Sequence, residues 1–139
     1  MLAHLACLAN FFFPFAGVIG ALVVYTLRRS DPSFVRENAR NALNEQITLA
    51  IFNTIVIVCA IGVLTSLMFT AAIAQHHRGQ PSAVFPWQLL AYFGCFLILM
   101  LANVTVAIIS CFAARTAYLG RVFRYPFAIP FVREALPLA

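Results

Sequence analysis

Three long stretches without a fixed charge constrain this chain more than any other feature: Leu2–Leu27, Ile47–Ala74 and Trp87–Ala114. About 20 apolar residues in a helix cross the hydrocarbon of a bilayer, and each stretch exceeds that. Lipid offers no partners to a peptide backbone, so apolar segments of this length fold as helices. Water is a poor solvent for the whole. Of 139 residues, 63% are hydrophobic and 9% charged, whereas a soluble domain carries about a quarter charged residues. The expected fold is an all-α membrane protein with three transmembrane helices, forming a single domain over residues 1–139. The first stretch lacks the basic start and small-residue cleavage site of a signal peptide, so it is read as a span.

Arginine placement orients the spans. All nine basic residues are Arg. Arg28, Arg29, Arg36 and Arg40 follow the first stretch, and Arg115, Arg121, Arg124 and Arg133 follow the third. The connector between the second and third carries only Arg78. The positive-inside rule then places the first connector and the C-terminus in the cytoplasm. With three spans, the N-terminus and the 75–86 loop face the opposite side. The net charge of +5 flanks membrane spans, so it points to no nucleic-acid partner.

The second helix is expected to begin ahead of its span, with Asp31 as N-cap and Pro32 at its first position. At 100° per residue, Glu37, Asn38, Arg40, Asn41, Asn44, Glu45 and Thr48 share one arc, and Val35, Ala39, Ala42, Leu43 and Ile47 share the other. This amphipathic extension should lie at the cytoplasmic surface. Glu37, Arg40, Asn41, Asn44, Glu45 and Gln46 are the candidate contacts to a partner there.

Span one carries small-xxx-small pairs, Ala16 with Gly20 and Gly17 with Ala21, which let another helix approach closely. Pro14 should kink that span. Asn53 and Asn103 lie inside spans two and three and call for a helix-packing partner in lipid. The tail from Gly120 to Val132 holds Pro126 and Pro130, which rule out a regular helix. Its alternating rings and arginines suit the membrane interface, with Arg121, Arg124 and Tyr125 as anchors.

Three stretches together resemble a known family. They are LAHL (Leu2–Leu5) with PFAGVIGALVVYTLRR (Pro14–Arg29), DPSFVRENARNALNEQIT (Asp31–Thr48), and RYPFAIPFV (Arg124–Val132). Their order and spacing resemble a bacterial membrane family of unknown function that is similar to the twenty-kilodalton Tic subunit of the chloroplast inner-envelope import translocon. The resemblance runs from Leu2 to about Val132 and rests most on Ala42-Leu43-Asn44-x-Gln46 and Tyr125-Pro126. Glu45 and Pro130 depart from the family pattern, which usually carries an aromatic and a basic or polar residue there. The resemblance implies a small Tic-like helical bundle in the bacterial inner membrane and carries no catalytic residues across.

The side chains favour no enzyme. The carboxylates Asp31, Glu37, Glu45 and Glu134 all fall at the cytoplasmic surface, and no span holds a carboxylate, Lys or Arg. Cys7, Cys59, Cys95 and Cys111 form no CxxC pair. His4 and Cys7 share a face, and His76 and His77 sit at the outer end of span two. Imidazole and thiolate are metal ligands, but packing and solvation explain these residues as well, and no metal or cofactor is expected. The preferred reading is a non-enzymatic accessory or structural subunit, with lipid and other membrane subunits or copies of itself as partners. A transport or protein-translocation component is the alternative and a metal-binding membrane protein the second alternative.

Overall fold

A computed structural model of the protein describes residues 2–11, 13, 15–76 and 85–133, with residues 11, 74–76 and 85 described by their backbone alone. All regular secondary structure among the described residues is helical: α1 (Leu2–Leu5), a 3-10 helix (Ala6–Phe11), α2 (Ala16–Leu27), α3 (Ser33–His76) and α4 (Phe85–Tyr118). The helices divide between two compact units, Met1–Ile51 with Asn103–Ala139 and, separately, Phe52–Ala102.

Two helices, α3 and α4, are long and apolar enough to cross a membrane. The amphipathic extension and the second apolar stretch form one continuous helix of 44 residues, about 66 Å long at 1.5 Å per residue. The carbonyl of Pro32 accepts from Val35 and Arg36 N–H at 2.9 and 3.2 Å, so α3 starts one residue later than expected, while the Asp31 carboxylate takes Arg28 at 3.1 Å. Gly120 ends α4. Its φ of 76° is one that glycine adopts without strain, and the bonds Gly120 N–H to Ala117 O and Arg121 N–H to Thr116 O close a Schellman motif.

The expected first span is corrected. Leu2–Leu27 is not one helix but a hairpin: the 3-10 helix and α2 pack side by side in opposite directions. A Cβ on Gly20 would lie 3.0 Å from Ala6 Cβ, and one on Gly17 would lie 2.7 Å from Asn10 Nδ2. Nearer the ends, Val24 and Tyr25 pack against the buried cluster Ala3, Ala39 and Ala42. Two features turn the chain back. Phe15 opens α2 from a left-handed φ of 69°. Asn10 Oδ1 accepts the Gly17 N–H at 2.7 Å, which satisfies one of the donors a helix start exposes. Of the small residues expected to meet another helix, Gly20 lies against Ala6 of the 3-10 helix and Gly17 against both Asn10 and Gln46 of α3. Pro14, expected to kink the segment, lies outside the described residues. A hairpin brings both its ends to one side, so the N-terminus, expected opposite the arginines, instead lies with them: His4 touches Asn38 and Tyr125.

Within Phe52–Ala102, Gln88 joins the two helices, donating to Ser66 Oγ at 3.2 Å and accepting from Thr70 Oγ1 at 2.9 Å. Large apolar side chains such as Ile55, Met68, Phe93 and Leu101 point outward, as lipid requires.

Candidate functional site

The unit built from the hairpin, the start of α3, the end of α4 and the tail is polar within. Its fully buried large side chains are His4, Gln46 and Ser110. They belong to two hydrogen-bonded chains.

The first chain runs Ser110, Tyr125, His4, Asn38. The Asn38 amide nitrogen donates to Phe34 and Arg121 carbonyls at 3.2 and 3.4 Å, so its Oδ1 is the acceptor that faces His4 Nε2 at 3.2 Å. Nε2 therefore carries the imidazole proton, and Nδ1 accepts from the Tyr125 hydroxyl at 2.9 Å. That leaves the phenol oxygen to accept from Ser110 Oγ at 3.2 Å. Burial holds His4 neutral, with its pKa lowered to about 4 against the raising effect of the Asn38 bond. Burial also pushes the Tyr125 phenol well above its ordinary value. With both ring nitrogens bonded, His4 offers a metal no lone pair.

The second chain points at a carboxylate. Gly17 N–H donates to Asn10, Asn10 Nδ2 donates to Gln46 Oε1 at 2.8 Å, and Gln46 Nε2 donates to Glu45 Oε2 at 2.7 Å. Glu45 sits in the polar first part of α3, ahead of the apolar stretch 47–74, and is 6% exposed. Desolvation raises its pKa to about 7, outweighing the Gln46 bond. This carboxyl can gain or lose a proton near neutrality.

The tail completes the unit. Asn38, Asn41, Asn44 and Thr48 form a stripe along α3 that holds the tail backbone. Asn38 Oδ1 accepts Phe123 N–H at 3.2 Å, and Asn41 donates to Phe123 O at 2.9 Å. Asn44 donates to Val132 O at 3.2 Å and accepts Val132 N–H at 2.7 Å, and Thr48 accepts Ile129 N–H at 3.0 Å. An irregular, proline-containing strand in an apolar setting needs partners for its peptide groups. The asparagines supply them.

Residues 1–132 match the family described as magnetosome magnetite crystal formation proteins, MamF/MmsF. The chain belongs to this family. The match covers every element of both units and supports the expected bacterial membrane family, while a Tic-like resemblance is not shown. No curated protein and no solved structure matches the chain. This family member is a small membrane protein, consistent with a non-enzymatic role.

The structure distributes the expected site residues as follows. Gly17 and Ala21 are buried and Ala16 and Gly20 half-buried in the hairpin. Of the six residues expected to touch a cytoplasmic partner, Asn41 and Asn44 hold the tail, Glu45 and Gln46 are interior, and Glu37 pairs with Arg40 at 4.0 Å and Arg124 at 3.4 Å. Tyr125, expected as an interfacial anchor, is buried, its hydroxyl donating to His4 and accepting from Ser110, while Arg121 and Arg124 remain exposed. Cys7 is buried beside Ser110. Asn53 and Asn103 are half-buried and each takes part in an interaction. The His76 side chain and His77 lie outside the described residues. The polar stripe was read from the sequence as one arc, but the tail was missed as its neighbour. The signal is there: amides three apart, and a tail whose prolines forbid self-pairing.

Proposed function

We propose that this MamF/MmsF protein is a non-enzymatic accessory subunit of the magnetosome membrane that supports magnetite crystal formation together with other membrane proteins or copies of itself. The observation that carries the reading is the family match over residues 1–132. The interior is in keeping with it: its imidazole, amides and hydroxyls are joined to each other and to the tail, which fixes a shape. In this reading the arginine-bearing ends of α3 and α4 face the cytoplasm, and the N-terminal hairpin, bonded to them through His4, has its ends on that face too.

The test is deletion of the gene in a magnetite-forming bacterium, with crystal size and shape scored by electron microscopy. The expected result is altered crystals, restored by the full chain carrying a fluorescent C-terminal tag that lies along the crystal chain. Crystals unchanged by the deletion would refute the role. Extraction in mild detergent tests the accessory part: the protein should migrate with partners or further copies, and a lone monomer would count against it.

A further inference from the structure

Among the described residues, the hairpin of the first 27 has an outer surface that is left uncovered. Its inner face is closed by Ala6 against Gly20 and by Asn10, Gly17 and Gln46. Outward it presents Phe13, Phe15, Ile19, Leu22 and Val23, all exposed, with Phe13 at 72%. α2 has 12 residues, a rise of about 18 Å against a hydrocarbon thickness of about 30 Å. Both ends of the hairpin meet the arginine-bearing elements: Leu27 leads into Arg28 and Arg29, and His4 lies on Asn38 and Tyr125. A helix pair that enters from one side, is apolar at its tip and spans about half the hydrocarbon is solvated by the acyl chains of one leaflet. The arginines at its base lie where headgroup phosphates lie.

We infer that the hairpin inserts into the arginine-side leaflet alone and makes the protein favour membrane that is convex on that side. Two helices about 10 Å across displace about 150 Å² of lipid, and the hairpin does so in one leaflet only. α3 and α4 cross both leaflets and add no such asymmetry. Convex bending loosens the packing of the outer leaflet, so insertion there costs less, as it does for other one-leaflet apolar elements.

The full chain, labelled at its C-terminus, can be reconstituted in giant vesicles of phosphatidylcholine and phosphatidylglycerol, from which narrow tethers are pulled. The readout is its density in the tether relative to the vesicle, normalised to a lipid dye. Vesicles are sorted by whether external protease removes the C-terminal tag. With the arginine side outward the ratio should exceed one; with it inward the ratio should fall below one. A ratio of one in both orientations, or the same sign in both, overturns the inference. Phe13→Asp with Ile19→Asp places charges at two exposed positions without touching the inner face, and the ratio should then move towards one. An unchanged ratio would assign the sorting to another part of the chain and overturn it likewise. A tag at the N-terminus should be digested from the same face as the C-terminal one, and digestion from the opposite face means a spanning segment and ends the proposal. The assay holds only lipid and protein, so its outcome is separate from the role in crystal formation.

Discussion

Replacing Glu45 by Gln isolates the energetics of the buried unit. In the folded protein the carboxyl titrates at about 7 instead of 4.5 because burial penalises the charged form. A folded pKa above the unfolded one means that the folded state holds the proton more tightly. The contribution to stability is complete below about pH 4.5 and is lost as pH rises through 7. Once ionised, the buried carboxylate lowers stability by about 3 kcal/mol, at about 1.4 kcal/mol for each pH unit between the two pKa values. Glutamine stays neutral and keeps the acceptor for Gln46, whose bond to the carboxylate is already contained in the shifted pKa. The net expectation is a gain of about 3 kcal/mol at pH 8, falling to about 1 kcal/mol at pH 5.

His4 moves the other way. Its pKa falls from 6.5 to about 4 on folding, so its contribution is complete above pH 6.5 and is lost as pH falls through 4. Between about pH 4.5 and 6.5 the two groups oppose each other, and the wild-type stability should be nearly flat. E45Q should slope there, losing stability with acidification because only His4 remains. Thermal unfolding in mild detergent from pH 4 to 9, followed by near-ultraviolet circular dichroism, reads both effects. The pH 8 gain corresponds to roughly 8–15 °C for a chain of this order of size. Parallel profiles for E45Q and wild type would show that Glu45 is not held in a desolvated site.

Three further substitutions test the packing. Gly17→Leu puts a side chain into Gln46 and Asn10 and should lower stability by about 1–3 kcal/mol, whereas Val23→Leu on the exposed face should stay within about 0.5 kcal/mol; equal unfolding midpoints for the two would contradict the hairpin packing. Asn44→Ala removes both bonds to Val132 and should cost about 1–3 kcal/mol, seen as faster tryptic cleavage at Arg124 and Arg133, and a tail that stays equally protected would deny the asparagine stripe its role.

The two long helices were legible because hydropathy and length decide them: uncharged runs such as Ile47–Ala74 and Trp87–Ala114 fold only one way in lipid. The hairpin was not legible on the same grounds. Hydropathy counts apolar residues without their direction, and Leu2–Leu27 is long enough to cross once or to enter and return. What decides is Asn10, whose side chain reaches both Gly17 N–H and Gln46, 36 residues away. The polar arc of α3 was read correctly from its period, but its neighbour was not. Periodicity shows that Asn41 and Asn44 share a face and cannot show whether water, a partner or the chain's own tail covers it. Tyr125 failed for the same reason, since its partner His4 is 121 residues distant.

The arrangement of polar groups favours the proposed accessory role over a transport one. In water, a buried hydrogen bond contributes little because the solvent competes for both partners; in an apolar setting an unbonded polar group has no substitute. The chain follows that rule in both units. Thr65 and Ser66 donate to carbonyls of their own helix, and Thr70 does so as well as meeting Gln88. Asn53 and Asn103 have interactions of their own. A conducting path needs the reverse, with hydroxyls and amides turned to a common lumen and free to replace the hydration of whatever passes. To line a pore, several copies would have to surrender these bonds in each subunit. The physical preference is thus for a protein that presents apolar flanks to lipid or neighbouring helices and keeps its polar groups for its own internal order.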